Sequence, residues 1–448
     1  MPRPLHTLAR AVALLAALPF LAANALLSAA LSRAAAPSRR EPCAPDALQV
    51  VVPYEPGQKS GGARAIQGLL RALETRCEVV ALPLYGVAPQ GGQVARLAAR
   101  WLTYALPMPC HCRPFAVSGR SVRRRIARGR PLVIEFMSGA MFLLLGPRPE
   151  NCTILREHEP LCRRLWSERR MARGAERVLL PVQAAAAWLA MTAVYLRVDR
   201  IVALTPQDAA FVRRAFPFVA RRVVHVPVSI DPPGTRRARV RPAAREVLML
   251  ANFYHRPNVD GLVWWLREVA PRLGEGWTLH LCGLDEPLHA VELPRSPVRI
   301  VRHGFVEDLD AAFPHVLLAL APVISGGGVR MKNLELAARG KAVVTTTRGN
   351  EGIGFLPDVE AVVVDEPADM ARALRALADD PAAARAMGER ARTRVWAGFG
   401  HAAVLERWCR VFAELDEGGD GRTSSPEQRR ALTGGGGAGP RRAHPASA

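Results

Sequence analysis

Lysine is almost missing from this chain: Lys59, Lys332 and Lys341 are the only three in 448 residues, and every other basic residue is arginine. The net charge is nonetheless +21, which raises nucleic acid or an anionic surface as partners. Nucleic acid is set aside, because no segment carries an RNP, zinc-finger or basic-zipper pattern that would turn charge into readout. Aromatic residues are few, at 6%, which argues against a β-sandwich or barrel. The eight cysteines lack a repeated spacing. Cys110-His111-Cys112 is the one tight pair, and no second cluster completes a zinc site around it. An even cysteine count permits disulfides without demanding them. No Asp-x-Asp metal pair sits in a glycine-rich loop, and no acidic residue precedes Glu41.

What the N-terminus does have is an apolar run. Ala11 to Leu31 is broken only by Pro19, Asn24 and Ser28, with Arg3 and Arg10 before it and Arg33 after. Rising about 1.5 Å per residue, a helix of this length spans a bilayer core of about 30 Å. We expect residues 1–46 to be a membrane anchor or signal segment followed by a Pro/Arg/Ser stem. Membrane association through residues 11–31 would make this a single-pass signal-anchor protein of the secretory pathway or Golgi. A cytoplasmic-face or organelle-targeted placement is the alternative, since the flanking charge leaves orientation poorly specified. The sequon Asn151-Cys152-Thr153 favours a lumenal body. The densest basic runs, Arg120 to Arg130 and Arg163 to Arg177, read as solvated surface or as a dock for anionic lipid or acceptor.

The chain is long enough for two ordinary domains. The expected first domain covers 47–231. It opens with a strand at Leu48 to Pro53, a helix from Ala63 to Thr75 and a strand at Glu78 to Leu84, a βαβ pattern. Further strands are expected at Pro131 to Phe136, Thr153 to Arg156, Arg200 to Thr205 and Arg222 to Val226. The apolar stretch Pro181 to Leu196 is too short for an ordinary membrane span and reads as a buried helix. Pro232 to Arg245 is a Pro/Gly/Arg-rich connector. From 245 to 415, short apolar strands alternate with helices, which specifies a second parallel, doubly wound sheet with right-handed crossovers. Two such halves predict a cleft between them, where α/β ligands bind. Residues 417–448 read as a disordered Gly/Pro/Ser/Arg tail.

The strongest chemical signal is the run from Ala321 to Glu335. A buried strand ends near Pro322, Gly326, Gly327 and Gly328 turn the chain, and a helix begins near Val329. Glycines allow close backbone approach, and the free N–H groups of a helix start attract an anion. Arg330 and Lys332 add cationic side chains, which suit a diphosphate better than a single carboxylate. Glu335, one turn further in, is placed to accept hydrogen bonds from two ribose hydroxyls. An ordinary glycine turn with a solvated basic face is the plain alternative. Trp264 and Trp265 read as helix packing, and Glu135 as a strand-end carboxylate facing either an acceptor or the surface.

The stretch from Asn252 to Ile353 resembles the donor domain of glycosyltransferase family 4, retaining enzymes of the GT-B fold. It is similar to the subgroup with RPNVD (Arg256 to Asp260), a GGG-R-K-LE loop and a GAEG-like exit, here Gly349 to Ile353. His303-Gly304-Phe305-Val306 matches a turn whose backbone, Gly304 and Val306 included, lies beside the nucleotide base in that family. Ser60-Gly61-Gly62-Ala63 resembles the family's first glycine turn, and Arg156-Glu157-His158-Glu159 its segment whose histidine faces the donor sugar. The resemblance implies His158, Arg330 and Lys332 in catalysis, with Gly61, Gly62, Arg256, Asn258, Gly304, Val306, Gly326 to Gly328, Val329 and Glu335 holding the donor. It further implies a nucleoside-diphosphate-sugar co-substrate, a hydroxyl acceptor on a glycan, lipid or protein, and neither cofactor nor obligatory metal.

Two departures stand out. The wider family carries a glutamate eight positions before Glu335, where this chain has Gly327. The cations usual in the first donor-domain turn are reduced to Arg256, with Asn258 where more charge is customary. Rival readings are a sugar-nucleotide epimerase of the same fold, a catalytically silent carbohydrate- or nucleotide-binding protein, and a basic nucleic-acid binder.

Overall fold

The computed structural model describes residues 47–53, 61–83, 119–140, 142–143, 149–169, 176–231 and 243–417. The apolar segment 11–31, the stem, Ser60, the Cys110-His111-Cys112 pair, most of the connector and the tail from 418 lie outside them. Among the described residues no helix is long and apolar enough to cross a membrane.

The first half comprises β1 (Ala47–Val52), α1 (Gly61–Glu74), β2 (Glu78–Pro83), α2 (Gly119–Arg125), β3 (Leu132–Glu135), α3 (Phe136–Ala140), β4 (Thr153–Glu157), α4 (Leu161–Glu168), α5 (Glu176–Tyr195), β5 (Arg200–Ala203), α6 (Pro206–Ala215) and β6 (Val223–His225). The second begins with β7 (Ala243–Leu250), α7 (Arg256–Glu268), α8 (Ala270–Leu273), β8 (Thr278–Cys282), β9 (Arg299–Gly304), α9 (Leu309–Ala312) and β10 (Val316–Ala321). It continues with α10 (Met331–Ala338), β11 (Ala342–Thr345), α11 (Thr347–Asn350), β12 (Val362–Val363), α12 (Pro367–Asp379) and α13 (Pro381–Phe399), and α14 (His401–Glu417) closes the chain.

Strands such as β1 and β3 are β-branched, apolar and buried along nearly their whole length, as central strands of a parallel sheet covered on both faces must be. The first sheet runs β2-β1-β3-β4-β5-β6 and the second β12-β11-β10-β7-β8-β9, with every pairing parallel. Each order winds outward in two directions from an interior pair. That places a topological switch point between β1 and β3, and another between β7 and β10. The fold is therefore the expected one, two Rossmann-like doubly wound domains of the GT-B type.

Apolar residues fill both faces of both sheets. One cluster crosses the divide, joining Ala65, Leu204, Val228 and Ile230 of the first half to Leu334, Ile353 and Phe399 of the second. The apolar stretch around Pro181 is the long helix α5, whose Trp188, Met191 and Tyr195 sit in the first core, as a buried helix requires.

Three expectations need correction. The last helix, placed by its position in the sequence with the second half, returns to the first sheet. Val404, Trp408, Val411 and Phe412 of α14 pack with Leu48, Val50, Ile66 and Leu69. Asn151 of the sequon is buried, and its amide donates to the carbonyls of Ala127 (2.7 Å) and Arg130 (2.9 Å), so the folded chain offers no glycan acceptor there. Glu135 is fully buried and faces no surface.

Candidate functional site

The loop after β10 leaves the second sheet at its switch point, and its neighbours fix its path atom by atom. Thr345 Oγ1 donates to the Ala321 carbonyl (2.8 Å) and Thr346 Oγ1 to that of Val323 (2.5 Å). From the other side α7 presses in at Gly261, where a Cβ would stand 2.0 Å from the Pro322 oxygen. Gly326 (φ +86°) and Gly328 (φ +74°) occupy left-handed backbone conformations that strain any other residue. The carbonyl of Gly326 accepts from Arg330 Nη2 (2.8 Å) and Arg348 Nη1 (3.2 Å), and that of Gly327 from Arg330 Nη1. Arg330, expected to point at a ligand, is instead buried and braces the loop whose carbonyls it holds.

The helix start falls two residues later than expected, at Met331, with Arg330 at the N-cap and no side chain capping it. Lys332, on the first turn, donates to Asn258 Oδ1 (2.8 Å), and Asn258 in turn donates to the Asn252 carbonyl (2.7 Å). The β7–α7 turn thus carries no cation of its own into the site; it orients the cation of α10. Burial, with Arg330 adding to it, pushes the Lys332 ammonium down to about 7. Arg256 does not join this group. Its side chain is 88% exposed and lies 3.7 Å from Asp260.

The first domain supplies the facing wall. Gly61, at the start of α1, meets Met331 at the start of α10, where an added Cβ would sit at 3.7 Å. Neither helix has an acidic residue in its first turn, so two positive dipole ends face each other across the divide. Gly62 lies in the same first turn. One residue pair locks the two helices: Arg64 of α1 donates to Glu335 Oε2 of α10. The Arg64 guanidinium also lies 5.9 Å from the Phe305 ring, between Gly304 (φ +62°) and the half-buried Val306. The second domain contributes Gly352 (φ +79°) to the contact, 2.5 Å from Thr205 Cγ2 for an added Cβ.

His158 follows β4 and brings its backbone to the loop, its carbonyl 3.2 Å from a Cβ added at Gly328. Its ring belongs to a buried polar group at the first sheet's switch point. Nε2 lies 2.6 Å from Glu135 Oε2, and Arg156 Nη1 reaches both Glu135 oxygens (3.1 and 3.2 Å) and the Ala65 carbonyl (3.2 Å). Phe136 stacks on the imidazole at 3.5 Å, from a left-handed backbone (φ +63°). Burial opposes charge on Glu135, but Arg156 and the His158 hydrogen bond outweigh it and keep the carboxyl below its usual value. Burial drives His158 down to about 4 against the pull of Glu135. At neutral pH the imidazole is therefore uncharged, with Nε2–H donating to an ionised Glu135.

Two residues that sequence reasoning passed over belong to the site. Arg64 left one signal, a charged residue on an otherwise apolar first turn after a glycine pair. Glu159 left none. Its Oε1 lies 2.3 Å from where a Cβ at position 327 would stand, so the carboxylate absent from position 327 is matched in space by one from the opposite domain. Among the described residues no three His, Cys, Asp or Glu side chains converge as a metal-holding group.

Residues 244–380 match the family model described as Glycosyl transferases group 1, a stretch that contains the β7–α7 turn, the glycine loop and α10. An uncharacterized 44.6 kDa protein in the cps region of Klebsiella pneumoniae is 26% identical over 130 residues, 27% of this chain and 34% of that protein. The chain thus spans about a third of the length of this curated relative. Among solved structures, sucrose-phosphate synthase from Thermosynechococcus elongatus superposes with a TM-score of 0.58 at 17% identity, over 83% of this chain and 99% of that one. Anabaena Alr3699/HepE, in complex with UDP and glucose, gives 0.52 at 11% identity, over 82% and 99%. A glycosyltransferase from Rickettsia africae gives 0.53 at 10%, over 83% and 98%. At these identities the likeness is one of fold, and it extends over both domains.

Proposed function

We propose that the protein is a retaining glycosyltransferase that moves a sugar from a nucleoside diphosphate to a hydroxyl acceptor. The observation that carries this reading is the meeting of two acid-free helix starts, α1 and α10, over a braced glycine loop at the second switch point. The family match to residues 244–380 supports it. The barrier in such a transfer is departure of a diphosphate from an oxocarbenium-like sugar, so charge that develops on the leaving group must be met by fixed donors. Lys332 and the N–H groups of both helix starts, Gly61 and Gly62 included, are those donors. Arg330 acts through the loop and adds its charge from behind.

Glu335 accepts the ribose hydroxyls, and Arg64 holds its carboxylate in place while leaving the second oxygen for the ligand. Gly304 to Val306 border the base. His158, neutral and fixed by Glu135, offers a polar edge beside the reacting sugar without a charge that would repel the oxocarbenium. No metal is required in this scheme. The acceptor enters from the first-domain side. Residues 11–31 attach the enzyme to a membrane of the secretory pathway.

The test is a screen of UDP- and GDP-sugars for donor hydrolysis, with and without added acceptors; UDP-glucose comes first because Alr3699/HepE was solved with it. Release of nucleoside diphosphate is expected for one donor. Conversion of a sugar nucleotide to its epimer without acceptor, or binding with no turnover across the screen, overturns the reading. Within the active pair, Glu335→Gln should lower donor affinity or turnover at least tenfold. Losing a charged acceptor costs roughly 1.5–3 kcal/mol, enough for that factor. Unchanged kinetics in a folded variant would remove Glu335 from the site.

A further inference from the structure

Glu159 is an acidic side chain that the first domain places against the glycine loop, and its environment is unusual for a carboxylate. Its Oε1 is buried and has no hydrogen-bond partner. The same oxygen abuts Gly327, where a Cβ would come within 2.3 Å of it and within 3.2 Å of Cδ. Arg164 and Arg330 favour the ionised form, yet burial prevails and pushes the carboxyl above its usual value, with Asp208 and Glu168 adding to the shift. A sealed carboxylate oxygen with no donor is a cost that folding alone does not explain. What the oxygen lacks is an O–H or N–H, and the place it faces is the loop over which the proposed donor lies.

We infer that Glu159 accepts a hydrogen bond from a ring hydroxyl of the transferred sugar, and so selects donors that carry a free hydroxyl at that edge over deoxy or acylated ones. The inference rests on the donor reading above and deepens it. Its geometry has a clear logic. The diphosphate occupies the helix starts, so the group joined to it is what reaches the neighbouring Gly327. A sugar presents several O–H donors, whereas an ionised carboxylate can only accept. Gly327 is then glycine because a Cβ there would collide with the carboxylate that does the selecting. The residue comes from one domain and the loop from the other, so a sugar bound here would touch both domains.

The experiment separates sugar from nucleotide. Thermal shift and calorimetric titration are run on wild type and Glu159→Gln with UDP, GDP, UDP-glucose, UDP-galactose, UDP-N-acetylglucosamine and GDP-mannose. Glu159→Asp serves as a second variant, and circular dichroism checks that each is folded. For the sugar nucleotide that binds wild type best, affinity is expected to fall at least tenfold in both variants, while the free diphosphate changes less than twofold. A series of deoxy analogues of that sugar should contain one member that binds wild type and Glu159→Gln equally. Equal loss for free diphosphate and sugar nucleotide, or no loss for either, overturns the inference while leaving the donor site standing. Failure of every nucleotide to bind wild type overturns the donor reading itself, and this inference with it.

Discussion

At the scale of single residues, the proposed chemistry turns on Lys332. Held near pKa 7 by burial and Arg330, it is largely uncharged in the free protein at pH 8. A bound diphosphate stabilises the ammonium and restores its pKa toward the ordinary lysine value. Binding at pH 8 should therefore take up close to one proton, and affinity should fall as pH rises above about 7, by up to about tenfold per unit. Calorimetry in buffers of different ionisation enthalpy measures the uptake. Lys332→Met should bind more weakly and take up none. Unaltered uptake in that variant would place the titrating group elsewhere.

The sequence exposed this residue through order alone, as strand, three glycines, cation and carboxylate in succession. It could not expose Arg64, which reaches the site from 271 positions away, nor the contact that Glu159 makes with Gly327 from the facing domain. Nor could it reveal that Arg330 turns inward. The free carbonyls of Gly326 and Gly327 exist only once the loop has folded, and a guanidinium beside them satisfies both.

At the scale of elements, the same substitution should act with opposite sign at two helical glycines. Alanine is favoured over glycine in a helix by about 1 kcal/mol. Gly398, near the end of α13, has nothing within 4 Å of an added Cβ, so Gly398→Ala should raise stability by up to about that amount. Gly261 in α7 faces the Pro322 oxygen at 2.0 Å, backbone against backbone, and neither side can give cheaply. Overpacking of this kind costs about 1–3 kcal/mol, which exceeds the helical gain. Gly261→Ala should therefore lower Tm and, because Pro322 begins the glycine loop, weaken nucleotide binding as well. Denaturant melts of the two variants settle both signs, and a stabilised Gly261→Ala would show that α7 is free to shift.

Most elements could be read from apolar period and glycine punctuation to within a few residues, because a strand buried on both faces leaves an unbroken apolar run. The allegiance of α14 could not be read that way. An amphipathic helix declares that it has a buried face but not which sheet will cover it, and Trp408 finds its neighbours across more than three hundred residues of chain.

At the scale of the whole molecule, two predictions follow from where the cores lie. A protein lacking residues 1–40 should remain folded and soluble, since the first core strand begins at Ala47; failure to fold would assign the apolar segment to the core. Trp408→Ala should cost about 3–5 kcal/mol, the usual penalty for emptying a fully buried indole site, with the loss felt in the first domain although the residue is encoded after the second. Proteolysis that detects opening of β1 and α1 would register it, and a variant as stable as wild type would contradict the packing of α14.

The chain passes between its halves twice, and the two passes run side by side. Ile230 pairs with Gly400 in a parallel bridge, the Ile230 N–H donating to the Phe399 carbonyl at 3.0 Å. Just beyond, Asp231 lies 3.2 Å from both Arg71 and His401. The second half is thus an insertion held at a double seam, not a bead on a string. Anyone grafting a foreign second half onto this first half would need two junctions, one after Asp231 and one before Gly400, stitched so that both ends meet again. A single crossover in the connector, the obvious choice from the sequence, would leave the recipient domain wearing the wrong partner's last helix.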